Sequence, residues 1–244
     1  MDNETKAEPA WGEHWARLIK RRAGEAGKIV QVTEMWDAWN LQSREHKQTF
    51  DRPELYDFVD VSQNNHNKGR KHWENFRYVR KYLMKKPRPM NTTKTYGADG
   101  NKFGHSDQDA VERFWRHLLA GAASARFHRP DSGLGLNQKA VNCLKAARRV
   151  EAFVPFWKLK PAIHRLTEGG ENDAYIAEAP GRAVVIFLPG GKTVRVDLEG
   201  FEGGREFHWN NIDKGMGGPM EKMKFEGILE LKAPGPGNWV VVAK

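Results

Sequence analysis

The feature that most constrains the fold is a change of hydrophobic period near residue 156. Before it, helical faces alternate with short β-rich runs; beyond it, short β runs follow one another between Gly and Pro residues. Alternating strands and helices favour parallel strands covered by helices, whereas closely spaced strands favour an antiparallel module. We therefore predict an α/β domain over residues 1–156 and a small all-β antiparallel sandwich over 157–244.

The first region contains four β-rich runs, at 28–33, 56–62, 89–95 and 123–127. Helical periods precede the first run and follow the later ones, which predicts repeated β-α units with exposed edge strands. The predicted inward helical residues are Trp11, Trp15, Leu18 and Ile19; then Trp73, Phe76, Val79 and Leu83; then Val111, Phe114, Trp115, Leu118 and Leu119. Ser106 and Asn137 are predicted helix caps.

The second region carries a turn signal inside the segment "VVIFLPGGKTVRV". Gly190 and Gly191 can adopt the positive φ that a tight turn needs. The sequence therefore predicts a hairpin in which 184–188 pairs with 193–197.

Charge is unevenly distributed along the chain. The formal net charge of +9 arises entirely within residues 1–156, which hold 28 Lys and Arg against 19 Asp and Glu. These basic residues fall largely on the outer faces of predicted helices, and no nucleic-acid-binding motif accompanies them. A solvated surface is the simpler interpretation, so we expect no nucleic-acid partner.

Other composition features exclude further classes of protein. No run approaches the roughly 18 consecutive apolar residues of a membrane helix, so we expect no membrane insertion. The single cysteine, Cys143, excludes an internal disulfide framework and a cysteine metal cluster but leaves the compartment open. No spaced group of His, Asp and Glu predicts a metal site, and we expect no cofactor.

Several phrases combine into a family pattern. They are "DNET", "VTEMWD", "SQNNH", "NTTKTYGADG", "ASARFHRPDSGLGLN" and "LPGGKTVRVDL…APGPGNWVVV". In this order they resemble the C-terminal half of a bacterial glycoside-hydrolase-like (β/α)8 barrel, followed by a β domain of the collagen-binding type known from a collagenase. The resemblance implies that Asn3-Glu4 ends barrel strand four and that the four β-rich runs are strands five to eight of a partial TIM barrel.

A full (β/α)8 barrel takes about 250 residues, far more than precede the β module. The resemblance therefore implies a fragment of a longer parent; a genuine half-barrel that pairs with another chain is the alternative. Nothing in the β-module residues supplies a physical reason to bind collagen.

The resemblance also implies the candidate catalytic pair. Related enzymes use the Glu of the Asn-Glu pair as general acid/base, which corresponds to Glu4. Their nucleophile follows strand seven, but here "NTTKTYG" offers Lys94 and Tyr96 and no carboxylate. Glu34 is the best replacement, in a retaining or an inverting pair. A hydrogen-bond acceptor role for a buried Arg or Trp is the alternative for Glu34.

Further polar and aromatic residues follow the predicted strands. The predicted substrate-binding residues are Trp36, Asn64, Asn65, His66, Tyr96, Arg126 and His128. Trp36 and Trp39 can stack on sugar rings or fill gaps between barrel and helices. His66 and His128 fit loop anchors better than metal ligands, and Arg126 is expected to pair with a carboxylate such as Glu34 or Asp60.

Two functions remain open from sequence. The first is a fragment of a carbohydrate-active hydrolase that is inactive as this chain and binds oligo- or polysaccharide in its parent. The second is a non-catalytic binding or scaffold protein that acts through the β module.

Overall fold

The computed structural model describes residues 3–61, 63, 67–101, 105–170, 172–201 and 203–244, with side chains from Lys6 onward. The predicted site residues Asn64, Asn65 and His66 lie outside the described residues. None of the helices in these ranges has the length and apolar character of a membrane-spanning segment.

Strands and helices alternate in the first region. The helices are α1 (Pro9–Glu25), α2 (Arg44–Phe50), α3 (Gly69–Leu83), α4 (Asp107–Leu119) and α5 (Gln138–Phe153). The strands are β1 (Asn3–Thr5), β2 (Met35–Trp36), β3 (Val59–Asp60), β4 (Met90–Thr95) and β5 (Ser124–Phe127). Each strand precedes a helix, as the alternating periods predict.

All strand pairs in this region are parallel. β1 pairs with β2, and β3, β4 and β5 form a second sheet in that order. The two sheets approach each other where the Asp57 N–H donates to the Val32 carbonyl at 2.9 Å. Among the described residues no ladder joins β2 to β3 or β5 to β1, so the five strands form no closed barrel.

The predicted strand at 28–33 is wrong, because pairing begins only at Met35. The Val32 N–H donates to the Asp57 carboxylate at 2.8 Å, and the Thr33 hydroxyl donates to the Phe58 carbonyl at 2.7 Å. Together with the single backbone bond from Asp57 to Val32, these side-chain bonds take the place of the continuous backbone ladder that a strand would need. The run at 56–62 shortens to β3, whereas β4 and β5 confirm the runs at 89–95 and 123–127.

Helix positions and caps follow the sequence closely. Ser106 accepts a hydrogen bond from the Asp109 N–H and forms a capping box at the start of α4. Asn137 accepts one from the Ala140 N–H at the start of α5. The predicted inward residues of α3 and α4 are all buried.

The first helix departs from its predicted burial. Trp11 and Trp15 are 46% and 43% exposed, and the buried residues of α1 are Gly12 and Ala16. The described residues place no element over the tryptophan side of this helix, so its large apolar residues stay accessible.

From Lys160 onward the chain forms antiparallel strands in two sheets. These are β6 (Lys160–Pro161), β7 (Leu166–Glu168), β8 (Tyr175–Ala179), β9 (Ala183–Leu188), β10 (Thr193–Asp197), β11 (Gly203–Asn211), β12 (Met216–Phe225), β13 (Ile228–Lys232) and β14 (Trp239–Ala243). The larger sheet has the order β12-β11-β14-β9-β8-β6, and the smaller has the order β13-β10-β7.

The predicted hairpin between 184–188 and 193–197 is wrong. β9 lies between β8 and β14 in the larger sheet, whereas β10 lies between β13 and β7 in the smaller one. Both edges of β9 are therefore already paired. The glycines at 190 and 191 do adopt positive φ, but their turn carries the chain from one sheet to the other.

The central strands of the larger sheet, β8, β9 and β14, are buried on both faces, whereas the edge strand β12 is mostly exposed. Because side chains alternate along a strand, Val185 and Phe187 of β9 point to one face and Val184 and Ile186 to the other. The first pair joins the hydrophobic cluster of α3, α4 and α5. The second pair joins a cluster shared with the smaller sheet. The helices and the β strands thus share one continuous core across residue 156.

Candidate functional site

We call the parallel strands β1 to β5 the arc and their C-terminal ends its mouth, because barrel enzymes place their active sites at these strand ends. The backbone of Glu4 lies in β1, which runs beside β2 with Asn3 opposite Met35 and Thr5 opposite Trp36. Glu34 immediately precedes β2. The structure therefore brings the backbones of the two predicted catalytic residues to neighbouring segments at the mouth.

The Glu34 side chain lies on the helix side of its segment. Its carboxylate is buried against Gly12 of α1 and accepts a hydrogen bond from the Tyr56 hydroxyl at 2.8 Å. The next residue, Met35, contacts Thr93 of the non-adjacent strand β4 and so points to the concave side. Alternation places Glu34 on the opposite side from Met35.

Tyr56 is a partner of Glu34 that sequence reasoning missed. Burial, followed by the hydrogen bond to Glu34, raises the pKa of the Tyr56 hydroxyl and keeps it a donor. The sequence signal was weak, since Tyr56 simply begins a β-rich run. Tyr56 is thus one donor to Glu34, where the sequence analysis considered an Arg or a Trp.

An apolar cavity of about 340 Å³ borders this carboxylate. Trp11 and Trp15 form one wall, with ring centroids 6.1 Å apart in an edge-to-face arrangement. Val32 and Tyr56 also line it. A buried carboxylate beside an open apolar cavity is therefore a feature of the α1 side, separate from the concave side of the strands.

Lys94, Tyr96 and His128 gather at the ends of β4 and β5. All three are buried, and the Tyr96 and His128 rings meet edge to face with centroids 4.9 Å apart. The backbone N–H of His128 donates to the Thr95 carbonyl at 3.0 Å. Burial, followed by the nearby positive charges of Lys94 and Arg129, lowers the pKa of His128. An imidazole with a lowered pKa thus lies beside the buried side chain of Lys94 at this end of the arc.

The expected ion pair of Arg126 is not formed. Arg126 is exposed, and it forms no hydrogen bond or ion pair with any described residue. Glu34 lies on the far side of the arc against α1, which removes one predicted partner. The neighbouring Phe127 is buried against Phe114 of α4, because successive side chains of β5 point to opposite faces.

The two candidate tryptophans differ in accessibility. Trp36 is 5% exposed, and its indole N–H donates to the Thr49 hydroxyl of α2 at 2.9 Å. Trp39 is 59% exposed and lines a groove of about 640 Å³ at the mouth. A surface ion pair between Lys6 and Asp37, 2.9 Å long, also borders this groove. Trp39, not Trp36, presents an accessible aromatic face.

No group of three or more His, Cys, Asp and Glu side chains in the described ranges can hold a metal ion. The sole cysteine, Cys143, is buried in the core, and this burial raises the pKa of its thiol to about 12. The described site chemistry therefore consists of carboxylate, ammonium, imidazole and aromatic groups.

The sequence matches no protein-family profile and no curated protein. Solved structures do match. A glycoside hydrolase family 5 protein from Bacteroides vulgatus aligns with 80% of this chain at 14% identity and a TM-score of 0.57. A GH30 endoxylanase from Clostridium papyrosolvens aligns with 96% of this chain at 12% identity and a TM-score of 0.56. Another glycoside hydrolase aligns with 97% of this chain at 12% identity and a TM-score of 0.59. The fold is glycoside-hydrolase-like.

At these identities the likeness concerns the fold alone. The chain spans 52% of the family 5 protein, 60% of the endoxylanase and 69% of the third structure. A large part of each of these three glycoside-hydrolase chains therefore has no counterpart in this chain. In the other direction, the endoxylanase and the third structure match nearly all of this chain.

Proposed function

We propose that this chain is part of a glycoside-hydrolase-like protein that acts on oligo- or polysaccharides. The observation that carries the proposal is the groove at the mouth of a glycoside-hydrolase-like fold, with the exposed ring of Trp39 on its wall. Aromatic faces contribute large apolar contact areas at little entropic cost, which suits the C–H faces of sugar rings.

Hydrolysis of a glycosidic bond needs two carboxyl groups on either side of the bond. Glu4 is the proposed general acid, and Glu34 the proposed second carboxyl group. The hydrogen bond from Tyr56 and the contact with Gly12 keep Glu34 on the helix side. Lys94 and Tyr96 lie at the C-terminal end of β4, and neither side chain is a carboxylate. We therefore propose that this chain alone has no glycosidase turnover, and that activity belongs to a longer parent.

A non-catalytic binding protein is the second candidate. Its support is the buried Lys94 at the end of β4, which occupies the strand end where the resemblance implied a nucleophilic carboxylate. In this proposal the mouth binds saccharide without cleaving it, and the β module acts as the main binding or scaffold part.

We propose that residues 157–244 form a β-sandwich accessory module. The proposal is supported by the apolar cluster that includes both Ile186 of the larger sheet and Val196 of the smaller one. Its shared core with α3 and α4, through contacts such as Trp73 with Tyr175, supports a rigid attachment to the α/β region.

The test combines turnover and binding on the purified chain. Aryl glycosides, xylan and arabinan are expected to give no turnover, while affinity electrophoresis detects saccharide binding. Trp39→Ala is expected to weaken that binding, whereas Trp157→Ala, at an exposed tryptophan outside the mouth groove, leaves it unchanged. Turnover by this chain would overturn the proposed inactivity, and Glu34→Gln would then show whether Glu34 takes part. Binding to none of these saccharides would remove the carbohydrate proposal.

A further inference from the structure

A second groove, of about 620 Å³, lies between the ends of α2 and α3. α3 ends at Leu83 and β4 begins at Met90, so this groove lies near the N-terminal ends of the parallel strands. It is therefore at the opposite end of the arc from the mouth. This groove shares no lining residue with the groove at the mouth.

Aromatic rings form one side of this groove. Tyr82 lies between Phe50 and Tyr78, with ring centroids 5.9 Å and 6.0 Å away respectively. The Tyr82 hydroxyl donates to the Asp51 carboxylate at 2.7 Å, which orients the ring. The groove thus has a fixed aromatic surface that is only partly buried.

Three lysines line the same groove. Lys81, Lys85 and Lys86 are exposed, and none of them forms an ion pair or a side-chain hydrogen bond with a described residue. Arg70 and Arg77, on the same helix α3, are both paired with Glu74. The three lysines beside the aromatic wall therefore form no ion pair, while the carboxylate of Asp51, which also lines the groove, accepts the hydrogen bond from Tyr82.

We propose that this groove binds an anionic polysaccharide, with sugar rings against the tyrosines and carboxylate or sulfate groups near Lys81, Lys85 and Lys86. Lysine is a compact, mobile point charge, which suits anionic groups spaced along a sugar chain. The tyrosine rings supply the apolar contact that a charged surface alone would lack. The choice of a saccharide over another polyanion rests on the proposed function.

The groove and the mouth lie at opposite ends of the arc. A polymer held at the N-terminal ends of the strands does not occupy the mouth. The groove therefore serves as a retention site that holds an acidic polysaccharide on the protein independently of cleavage.

The test is affinity electrophoresis of the full chain in polygalacturonate, a sulfated galactan and neutral xylan. The triple variant Lys81→Gln, Lys85→Gln, Lys86→Gln is expected to bind the acidic polymers about tenfold more weakly, because each exposed ion pair contributes modestly. The matched control, Lys214→Gln, Lys224→Gln, Lys232→Gln, removes three exposed lysines from the β region and is expected to bind like the parent chain. Added salt weakens the binding by screening.

Tyr78→Leu separates stacking from charge, because it keeps the lysines and removes a ring; it is expected to weaken polysaccharide binding as well. Equal losses in both lysine variants, or no loss in either, would overturn the proposal. So would binding of a DNA oligonucleotide or polyglutamate as tight as that of polygalacturonate, since the groove would then be a general polyanion surface. The Trp39→Ala readout at the mouth is independent, so failure here leaves the proposed function standing.

Discussion

His72 of α3 and His117 of α4 lie ring against ring in the core, with centroids 4.3 Å apart. Both are buried, and none of their four ring nitrogens has a hydrogen-bond partner among the described residues. Arg113 and Arg116 add positive charge nearby. Burial first, and then these charges, hold the pKa of each imidazole well below 6.5. The pair is therefore neutral in the folded chain.

This histidine pair predicts acid-sensitive folding. In the unfolded chain the imidazoles titrate near 6.5, so below that pH the unfolded state binds more protons than the folded state. The histidine pair therefore leaves the free energy of unfolding unchanged above about pH 6.5 and lowers it as the pH drops below this value. We expect each histidine to remove about 1 kcal/mol of unfolding free energy per pH unit below about 6.5.

Urea unfolding at about pH 7.5 and about pH 5.5 measures this pH dependence. His117→Leu is expected to reduce the loss of stability between the two pH values, whereas His14→Gln, at an exposed histidine of α1, leaves it unchanged. An undiminished loss in His117→Leu would assign the acid sensitivity to other groups.

Tyr56→Phe removes the hydroxyl that donates to buried Glu34. Since a buried carboxylate that loses this hydrogen bond is less well compensated for its desolvation, we expect a loss of about 1–3 kcal/mol in unfolding free energy. Tyr82→Phe removes a comparable hydroxyl from exposed Asp51 and is expected to cost less than about 1 kcal/mol. Equal costs, measured by chemical denaturation, would contradict the burial argument.

Gly12→Ala and Gly24→Ala form a matched pair within α1. Alanine is favoured over glycine in a helix by about 1 kcal/mol, so Gly24→Ala, which meets open space, should stabilise the chain. A methyl group on Gly12 would collide with the Glu34 carboxylate. We expect this overpacking to cost about 1–3 kcal/mol.

Thermal or urea unfolding of both glycine variants gives the comparison. If Gly12→Ala proves as stabilising as Gly24→Ala, Glu34 does not lie against α1. The same substitution in a Glu34→Ala background should lose most of its cost, because the colliding carboxylate is gone.

Ser106→Ala removes the hydroxyl of the capping box of α4. The Asp109 N–H then loses its acceptor, and we expect a cost of about 1 kcal/mol. Ser124→Ala, at an exposed serine of β5, is the control and should change stability by less than about 0.5 kcal/mol. A neutral Ser106→Ala would show that water replaces the cap without loss.

The sequence by itself determined the elements whose signals are local. The period of α3 and α4 placed Trp73 and Trp115 inside, and Ser106 and Asn137 marked helix starts, because side-chain spacing and caps depend on nearby residues. The parallel order of the first region also followed from alternating periods.

Only the tertiary structure decided what depends on distant partners. The predicted strand at 28–33 does not form, because the Val32 N–H donates to the Asp57 carboxylate and not to a neighbouring strand. The pairing of β9 with β8 and β14 turned an apparent hairpin into a crossover between sheets. Tyr56 and Gly12, far from Glu34 in sequence, decided which side of the arc its carboxylate occupies. These outcomes rest on long-range hydrogen bonds and packing, which no local pattern encodes.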